Sequence, residues 1–505
     1  MTLQQVQGFS VGTEAVLYWE KPRQLPQNYR YQIFQDGNPA GSSDKTHYTV
    51  ENLIPGKSYE YFVRIVTQSG ENLAEYSPVT LTVPEEKKKI DVTQSPYFVK
   101  GDGKTLNTAA LQQVFDDCGK GEMVFLPPGV YLTGALRMHS DMELYLAEGA
   151  VLQGTDNVEE YLPRIWSRFE GIEQECYSSV LNLGELDHKG GCGCRNVVIR
   201  GQGTIASGGR VLAERVIASE RERLKIYLEK LGDKISECEK PETIPGRVRP
   251  RLINMSNAKD VILSGITLRN GASWNIHMIY SEHIVTCGCK FYSEDVWNGD
   301  GWDPDSSTDC TIFDCVFYTG DDGIAIKSGK NPEGNRIGRK TSHIRIFDCK
   351  SAFGHGITIG SEISGGIEDV AIWDCDMSRS MCGIEIKGTK KRGGYVRNVQ
   401  VYDCAAARIM FHSVGYNDDG IGAEKPPVFE NCCFENIRVS GEYLDHDGEW
   451  HSGDAIELCG FDEPGYELKD VVFRDIYLEG KEAGGRQNLS LQYCENVSFE
   501  RFHCS

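Results

Sequence analysis

DCTIFDCVF, residues 309–317, returns as HIRIFDCKS at 343–351, DVAIWDCDM at 369–377 and NVQVYDCA at 398–405. In each copy an Asp, Asn or His precedes alternating apolar residues, and the run closes on a polar residue and a cysteine. Looser versions occupy 196–200, 260–268, 283–291, 470–478 and 496–503. Short β-branched and aromatic runs at period two are the pattern of strands. From Cys289 through Cys315, Cys349 and Cys375 to Cys404 the steps are 26, 34, 26 and 29 residues. A repeat that keeps its strands while its length drifts is what the coils of a parallel β-helix give, since each coil pairs only with its neighbours and tolerates loop insertions. The stricter Leu-x-x-Leu-x-Leu grammar of a leucine-rich repeat is missing. The expected fold is all-β, a right-handed parallel β-helix.

Working outward, Gly101-Asp102-Gly103 opens a segment with Asn107 or Thr108 as N-cap and Leu111, Val114 and Phe115 at helical spacing. Such a helix closes the otherwise sticky end of a solenoid. The solenoid is expected to span 97–505, with an amphipathic helical insertion at about 208–240. Before it, residues 1–86 carry short strand-like runs between turn signals, the signature of a small β-sandwich. Trp19 and the stretch Leu53-Ile54-Pro55-Gly56-Lys57-Ser58-Tyr59 resemble a fibronectin type III domain. The charged run Pro84-Glu85-Glu86-Lys87-Lys88-Lys89 opens an expected linker, 87–96.

Acidic residues outnumber basic ones by 74 to 53 in 505 residues, a net charge of −21, which argues against nucleic acid as a partner. No apolar run is long enough to span a bilayer, so no membrane role is expected. Met1–Ser10 lacks the basic and apolar regions of a secretory signal, which points to the cytoplasm. The 18 cysteines then read as reduced thiols, several stacked as small hydrophobes inside the coils. His188, Cys192 and Cys194 lie close in sequence but match no zinc spacing, so no metal or other cofactor is expected. Oligomeric state is open.

Four motifs follow one another: Asn298-Gly299-Asp300-Gly301-Trp302-Asp303, Gly320-Asp321-Asp322-Gly323, Gly354-His355-Gly356 and Ile384-Glu385-Ile386-Lys387. The 21 residues from Asp300 to Asp321 are close to one coil, so their carboxyls should lie on neighbouring rungs about 4.8 Å apart. Flanking glycines allow a bend that turns both Asp321 and Asp322 into one cleft. Crowded carboxyls cannot all ionise normally, and glycoside hydrolysis needs that split: a protonated carboxyl for the leaving oxygen and an ionised one to activate water. Read alone, a Gly-Asp-Asp-Gly turn is a routine solenoid corner or a calcium site.

The four motifs in this order resemble glycoside hydrolase family 28, the polygalacturonase family, over about 97–505, with its pectin lyase-like solenoid. The resemblance implies Asp321 as the general acid of an inverting mechanism, Asp300 and Asp322 as the pair that holds and deprotonates water, His355 as support for the acid, and Lys387 as a ligand for a substrate carboxylate. Gly299 replaces the family's Thr. Glu385 is a larger departure, because the family has an Arg there that binds galacturonate. Either Lys390, Lys391 or Arg392 supplies the missing cation, or the sugar is neutral or cationic, or Glu385 simply pairs with Lys387. Asn298 and Lys327 belong to the same substrate-binding set, and Lys330, Arg336, Arg339 and Lys340 extend a basic patch that an acidic protein would need for an anionic sugar. Trp302 is expected to stack on a sugar face, with Trp274, Asn275, His277, His412 and Tyr416 as further candidates. Residues 327–341 make a loop long enough to block one end of the cleft, which together with the N-terminal domain resembles the exo-acting bacterial branch that trims terminal galacturonate from pectic oligosaccharides. A calcium-dependent lyase and a non-catalytic carbohydrate-binding solenoid are the competing classes.

Overall fold

A computed structural model describes residues 2–23, 28–232, 241–415, 419–479 and 489–504. The chain divides into two compact units, 1–89 with 121–123, and 90–120 with 124–505. In the first, the antiparallel sheet of Gln7–Val11, Glu14–Tyr18 and His47–Val50 shares a core with a larger sheet built around Tyr29–Gln35 and Ser58–Thr67. Trp19 meets Tyr31 edge-on in that core, centroids 5.1 Å apart. The turn before Ser58–Thr67 holds Gly56 at φ +75°, where a side chain would be strained, and the Tyr59 hydroxyl accepts the Ile54 N–H.

The second unit is a parallel β-helix of two ladders, one of 22 strands and one of 11. Successive coils stack like on like: Ile284 pairs with Cys310, then Ile344, Val370, Val399, Cys432, Val471 and Val497. The recurrent polar residue now has a physical cause. His283, Asp309, His343, Asp369, Asn398, Asn431, Asp470 and Asn496 all sit at φ between 53° and 57°, and the strand register skips each of them. Asn, Asp and His are the non-glycine residues that best tolerate this left-handed conformation. A second bend repeats the device at Asp314, Asp348, Asp374 and Asp403, with Gly288 at the same place one coil earlier. Each is followed by one of the column Cys289, Cys315, Cys349, Cys375 and Cys404, all buried and free.

The capping helix is Thr108–Asp117, burying Leu111, Val114 and Phe115. Asn107 stands at its N-cap, but its side chain turns back to bond the Lys100 N–H, the Lys100 carbonyl and the Thr105 carbonyl, a local bond set that competes with capping. The helical insertion forms Gly209–Arg223 and Lys225–Leu231, anchored by Leu212 and Val216; residues 233–240 of the expected segment lie outside the described residues. The expected linker is corrected: Lys88–Asp91 is the first strand of the 22-stranded sheet, with Ile90 packed on the core while the lysines mask an edge.

Candidate active site

Five consecutive strands of the 11-stranded ladder build the site: β1 (Ile276–Ile279), β2 (Trp302–Asp305), β3 (Ile324–Ile326), β4 (Gly356–Ile359) and β5 (Gly383–Gly388). Asp300 precedes β2, Asp321 and Asp322 precede β3, and His355 precedes β4, so the chemistry sits in the turns that feed one sheet. Main-chain bonds lock these turns together: Gly301 N donates to the Asp322 carbonyl at 3.0 Å, and His355 N to the Asp321 carbonyl at 2.9 Å. Glycine is required at Gly301, where a Cβ would lie 2.4 Å from the Gly323 oxygen.

Asp300, Asp321, Asp322, His355, Asn298, Lys327 and Lys387 all line one cleft of about 300 Å³. His355 Nδ1 lies 2.9 Å from Asp321 Oδ1 and 3.2 Å from Asp322 Oδ1. Asn298 Nδ2 donates to Asp321 Oδ2 at 3.2 Å, and Arg249 Nη2 in turn donates to Asn298 Oδ1 at 2.7 Å. Thr358 Oγ1 donates to Asp322 Oδ1 at 2.6 Å, and Lys387 Nζ stands 3.8 Å from Asp322 Oδ2. Lys327 Nζ bridges Asp300 Oδ2 at 2.9 Å and Asp303 Oδ2 at 3.2 Å, and lies 4.0 Å over the Trp274 ring.

These surroundings split the acids. Burial pushes Asp300 up to about 7 against the pull of Lys327, and drives Asp303 well above the carboxylate range. Burial also raises Asp321, but the His355 imidazolium outweighs it and holds that carboxyl well below its ordinary value. For Asp322, Lys387 and His355 overcome burial and lower it. Burial opposes the charge on His355, yet the two carboxylates raise it well above the usual histidine value. A protonated imidazole against two ionised carboxylates is a proton held ready for transfer. Asp321, Asp322 and His355 also have the spacing of a cation site, but His355 and Lys387 already balance both carboxylates, which suits proton transfer better than ligation.

Other expected residues are placed elsewhere. Trp302 is fully buried: it continues the column Ile276, Trp302, Ile324, Ile357, Ile384, and its Nε1 donates to Thr286 Oγ1. It packs the core and cannot stack on a ligand. Trp297, five residues earlier, is 52% exposed at the cleft with Arg249 4.5 Å from its ring, an exposed aromatic face in the cleft that the reading of the sequence missed. Trp302→Ala should lower unfolding stability by about 3–5 kcal/mol, whereas Trp297→Ala should raise KM and leave the denaturation midpoint in place; equal effects of both on KM would contradict this placement.

Lys390 is exposed and donates to the Asp462 carbonyl, while Arg392 is buried against Asn331 Oδ1 and the Ser361 carbonyl, so neither lines the cleft. Glu385 is buried and pairs with Lys387 Nζ at 3.1 Å. Tyr416 lies outside the described residues. His277 is buried between Trp274 and Asp305, and His188 engages Glu173.

Beside the acids stands a wall of which the sequence announced only the 327–341 loop. Arg247 ion-pairs with Glu170 at 2.8 Å and with Asp419 at 3.1 Å, and Lys330 Nζ donates to Asp419 at 2.5 Å. Asn331 of the same loop reaches the Ile421 carbonyl. The hairpin Ile165–Phe169/Ile172–Cys176, the turn Pro241–Val248, the 327–341 loop and the 419–421 segment are thereby tied together, and Glu170 and Thr243 join the cleft lining.

A family model described as "Glycosyl hydrolases family 28" matches residues 191–414. An exo-poly-α-D-galacturonosidase of Dickeya chrysanthemi is 26% identical over 96% of this chain and 88% of its own length. An endo-polygalacturonase of Pectobacterium parmentieri is 30% identical over 63% of this chain and 72% of its own. Among solved structures, the family 28 exopolygalacturonase of Yersinia enterocolitica superposes with a TM-score of 0.79 at 22% identity, covering 99% of this chain and 98% of that one.

Proposed function

The chain belongs to glycosyl hydrolases family 28, and on that premise we propose that it is an inverting, exo-acting hydrolase that removes galacturonate from α-1,4-linked pectic oligosaccharides. The observation that carries this reading is the convergence of Asp300, Asp321, Asp322 and His355 on one cleft, with His355 Nδ1 2.9 Å from Asp321 Oδ1. Asp321, supplied with a proton through His355 Nδ1, protonates the glycosidic oxygen. Ionised Asp322 takes the proton from the attacking water, which Asp300 holds by hydrogen bond. Water enters opposite the leaving group, so the anomer inverts.

Exo action is supported by the galacturonosidase relative that spans nearly the whole chain and by the size of the cleft. At about 300 Å³ it stands at the bottom of the roughly 300–1,000 Å³ range of ligand pockets, and the ion-paired wall stands beside it. A second reading is favoured by Glu385: its bond to Lys387 offsets a cation that an anionic sugar would need, which suits a neutral α-linked sugar on the same machinery. We also read the N-terminal sandwich as fibronectin type III-like, supported by Trp19 in its core and the Leu53–Tyr59 turn.

The test is a panel of saturated oligogalacturonides and neutral α-glycosides, followed by chromatography and NMR of the fresh product. Stepwise release of a single β-configured galacturonate is the expected result. Turnover of neutral glycosides alone favours the second reading, and an ultraviolet-absorbing unsaturated product would make the protein a lyase.

A further inference from the structure

The hairpin Glu442–Leu444/Trp450–Ser452 brings an exposed histidine, His446, onto the active site. Its Nε2 lies 3.2 Å from His355 Nε2, with ring centroids 5.0 Å apart and planes tilted by 58°. The two residues are 91 positions apart, and no motif pointed to the second. Two imidazole nitrogens can hydrogen-bond only if one carries a proton and the other a lone pair. His355 Nδ1 is committed as a donor to Asp321 and Asp322. When His355 is cationic, its Nε2–H therefore donates to His446; when it is neutral, its Nε2 accepts from His446 Nε2–H. Either way the contact fixes the plane of the His355 ring.

From this contact, and resting on the hydrolytic reading above, we propose that His446 is a positioning residue that orients His355 and carries solvent protons to the half-buried Asp321. Each turnover moves one proton from Asp321 to the leaving oxygen and leaves another, from water, on the base. Asp321 must then be recharged, and its carboxyl is tucked beneath His355 and Asn298. In the relay, solvent protonates His446 at Nδ1, His446 Nε2–H passes its proton to His355 Nε2, and His355 Nδ1–H passes its proton to Asp321 Oδ1. The relay starts from neutral His355 carrying Nδ1–H and leaves each ring in its other tautomer; the proton that Asp322 took from water resets them, passing to His355 Nδ1 at 3.2 Å, from His355 Nε2 to His446 Nε2, and from His446 Nδ1 back to solvent. The groups that set the field are His355, Asp321 and Asp322 on the cleft side, with Asp445, Asp447, Glu449 and His451 on the hairpin itself. Asp445 is held by His451 at 2.6 Å, which fixes the residue just before His446.

The experiment compares His446→Ala and His446→Gln with the parent in the full chain, on the oligogalacturonide that the parent cleaves. His446→Ala should lower kcat by at least about tenfold, below the roughly 10²–10⁴ that the proton-transferring group itself contributes, with KM within twofold. Because the position is exposed, added imidazole should restore much of that kcat. His446→Gln keeps a hydrogen-bonding partner for His355 but cannot relay, so it should orient His355 and stay slow. Unchanged kcat in His446→Ala, a loss confined to KM, or a loss that imidazole does not touch would each overturn the proposal. Nitrogen-15 NMR of histidine-labelled, substrate-free protein separates this from a wrong substrate. The His355 ring-nitrogen shifts should move in His446→Ala whatever sugar the enzyme takes, and unmoved shifts also sink the idea.

Discussion

Asp321→Asn is expected to lower kcat by roughly 10²–10⁴-fold while leaving KM nearly unchanged, because a group acting in proton transfer is lost and ground-state binding is not. The amide can still accept from Asn298 Nδ2, so the turn before β3 keeps its shape. It cannot balance His355, whose raised pKa depends on Asp321 first and Asp322 second. A histidine with a raised folded value contributes stability fully below its unfolded value of 6.5, and loses it as pH climbs through the folded value. Asp321, whose folded value is lowered from 3.8, loses its own contribution as pH falls below that, so the stability deficit of Asp321→Asn should be largest between 3.8 and 6.5 and shrink on both sides. Product release measured against denaturant unfolding at several pH values checks both halves. Full turnover in Asp321→Asn, with loss in Asp300→Asn, would move the acid role to Asp300, whose carboxyl near 7 is the next proton store in the cleft.

Lys327→Met carries the second large effect, this time on stability. The ammonium is buried between Asp300 and Asp303, and removing one partner of such a group costs about 3–5 kcal/mol. The loss is pH-dependent in a definite direction. Asp300 already stands raised to about 7 from an unfolded 3.8, and Asp303 stands higher than its ordinary value. Without Lys327 both rise further. An acid with a raised folded value stabilises fully below its unfolded value and progressively loses that contribution as pH rises through the folded one. The variant should fall behind its parent more at pH 9 than at pH 5, and the acid limb of its activity should move up by about 1–3 units, the usual effect of an adjacent opposite charge. Equal deficits at both pH values would mean that Lys327 acts by packing on Trp274 and not by charge.

The coils were legible because their demand on the chain is local. A left-handed bend at the same point of every coil selects Asn, Asp or His, as at Asp309, His343 and Asn398, and a strand with one face in the core selects alternating aliphatics. The acids were legible for a related reason: Asp300, Asp321 and His355 each lead into a strand of one ladder, so spacing along the chain maps onto spacing between rungs. Trp302 was misread because strand parity decides which face a residue takes. It stands in register with Ile276 and Ile324, which places it inside, while Trp297 in the preceding turn faces the cleft. Of the wall only the long 327–341 loop was legible; its ion pairs, and His446, left no local trace. Arg247 meets Asp419 across 172 positions and Lys330 meets it across 89, and nothing in a short window encodes such pairings.

The sulfur column from Cys289 to Cys404 makes the protein its own strain gauge. Those five thiols are sealed between rungs, so a maleimide or other alkylating reagent cannot reach them while the stack is closed. Labels that appear on these five by peptide mass, beyond those on exposed Cys192 and half-buried Cys382, Cys433, Cys459 and Cys494, would therefore report how often the middle of the helix breathes open.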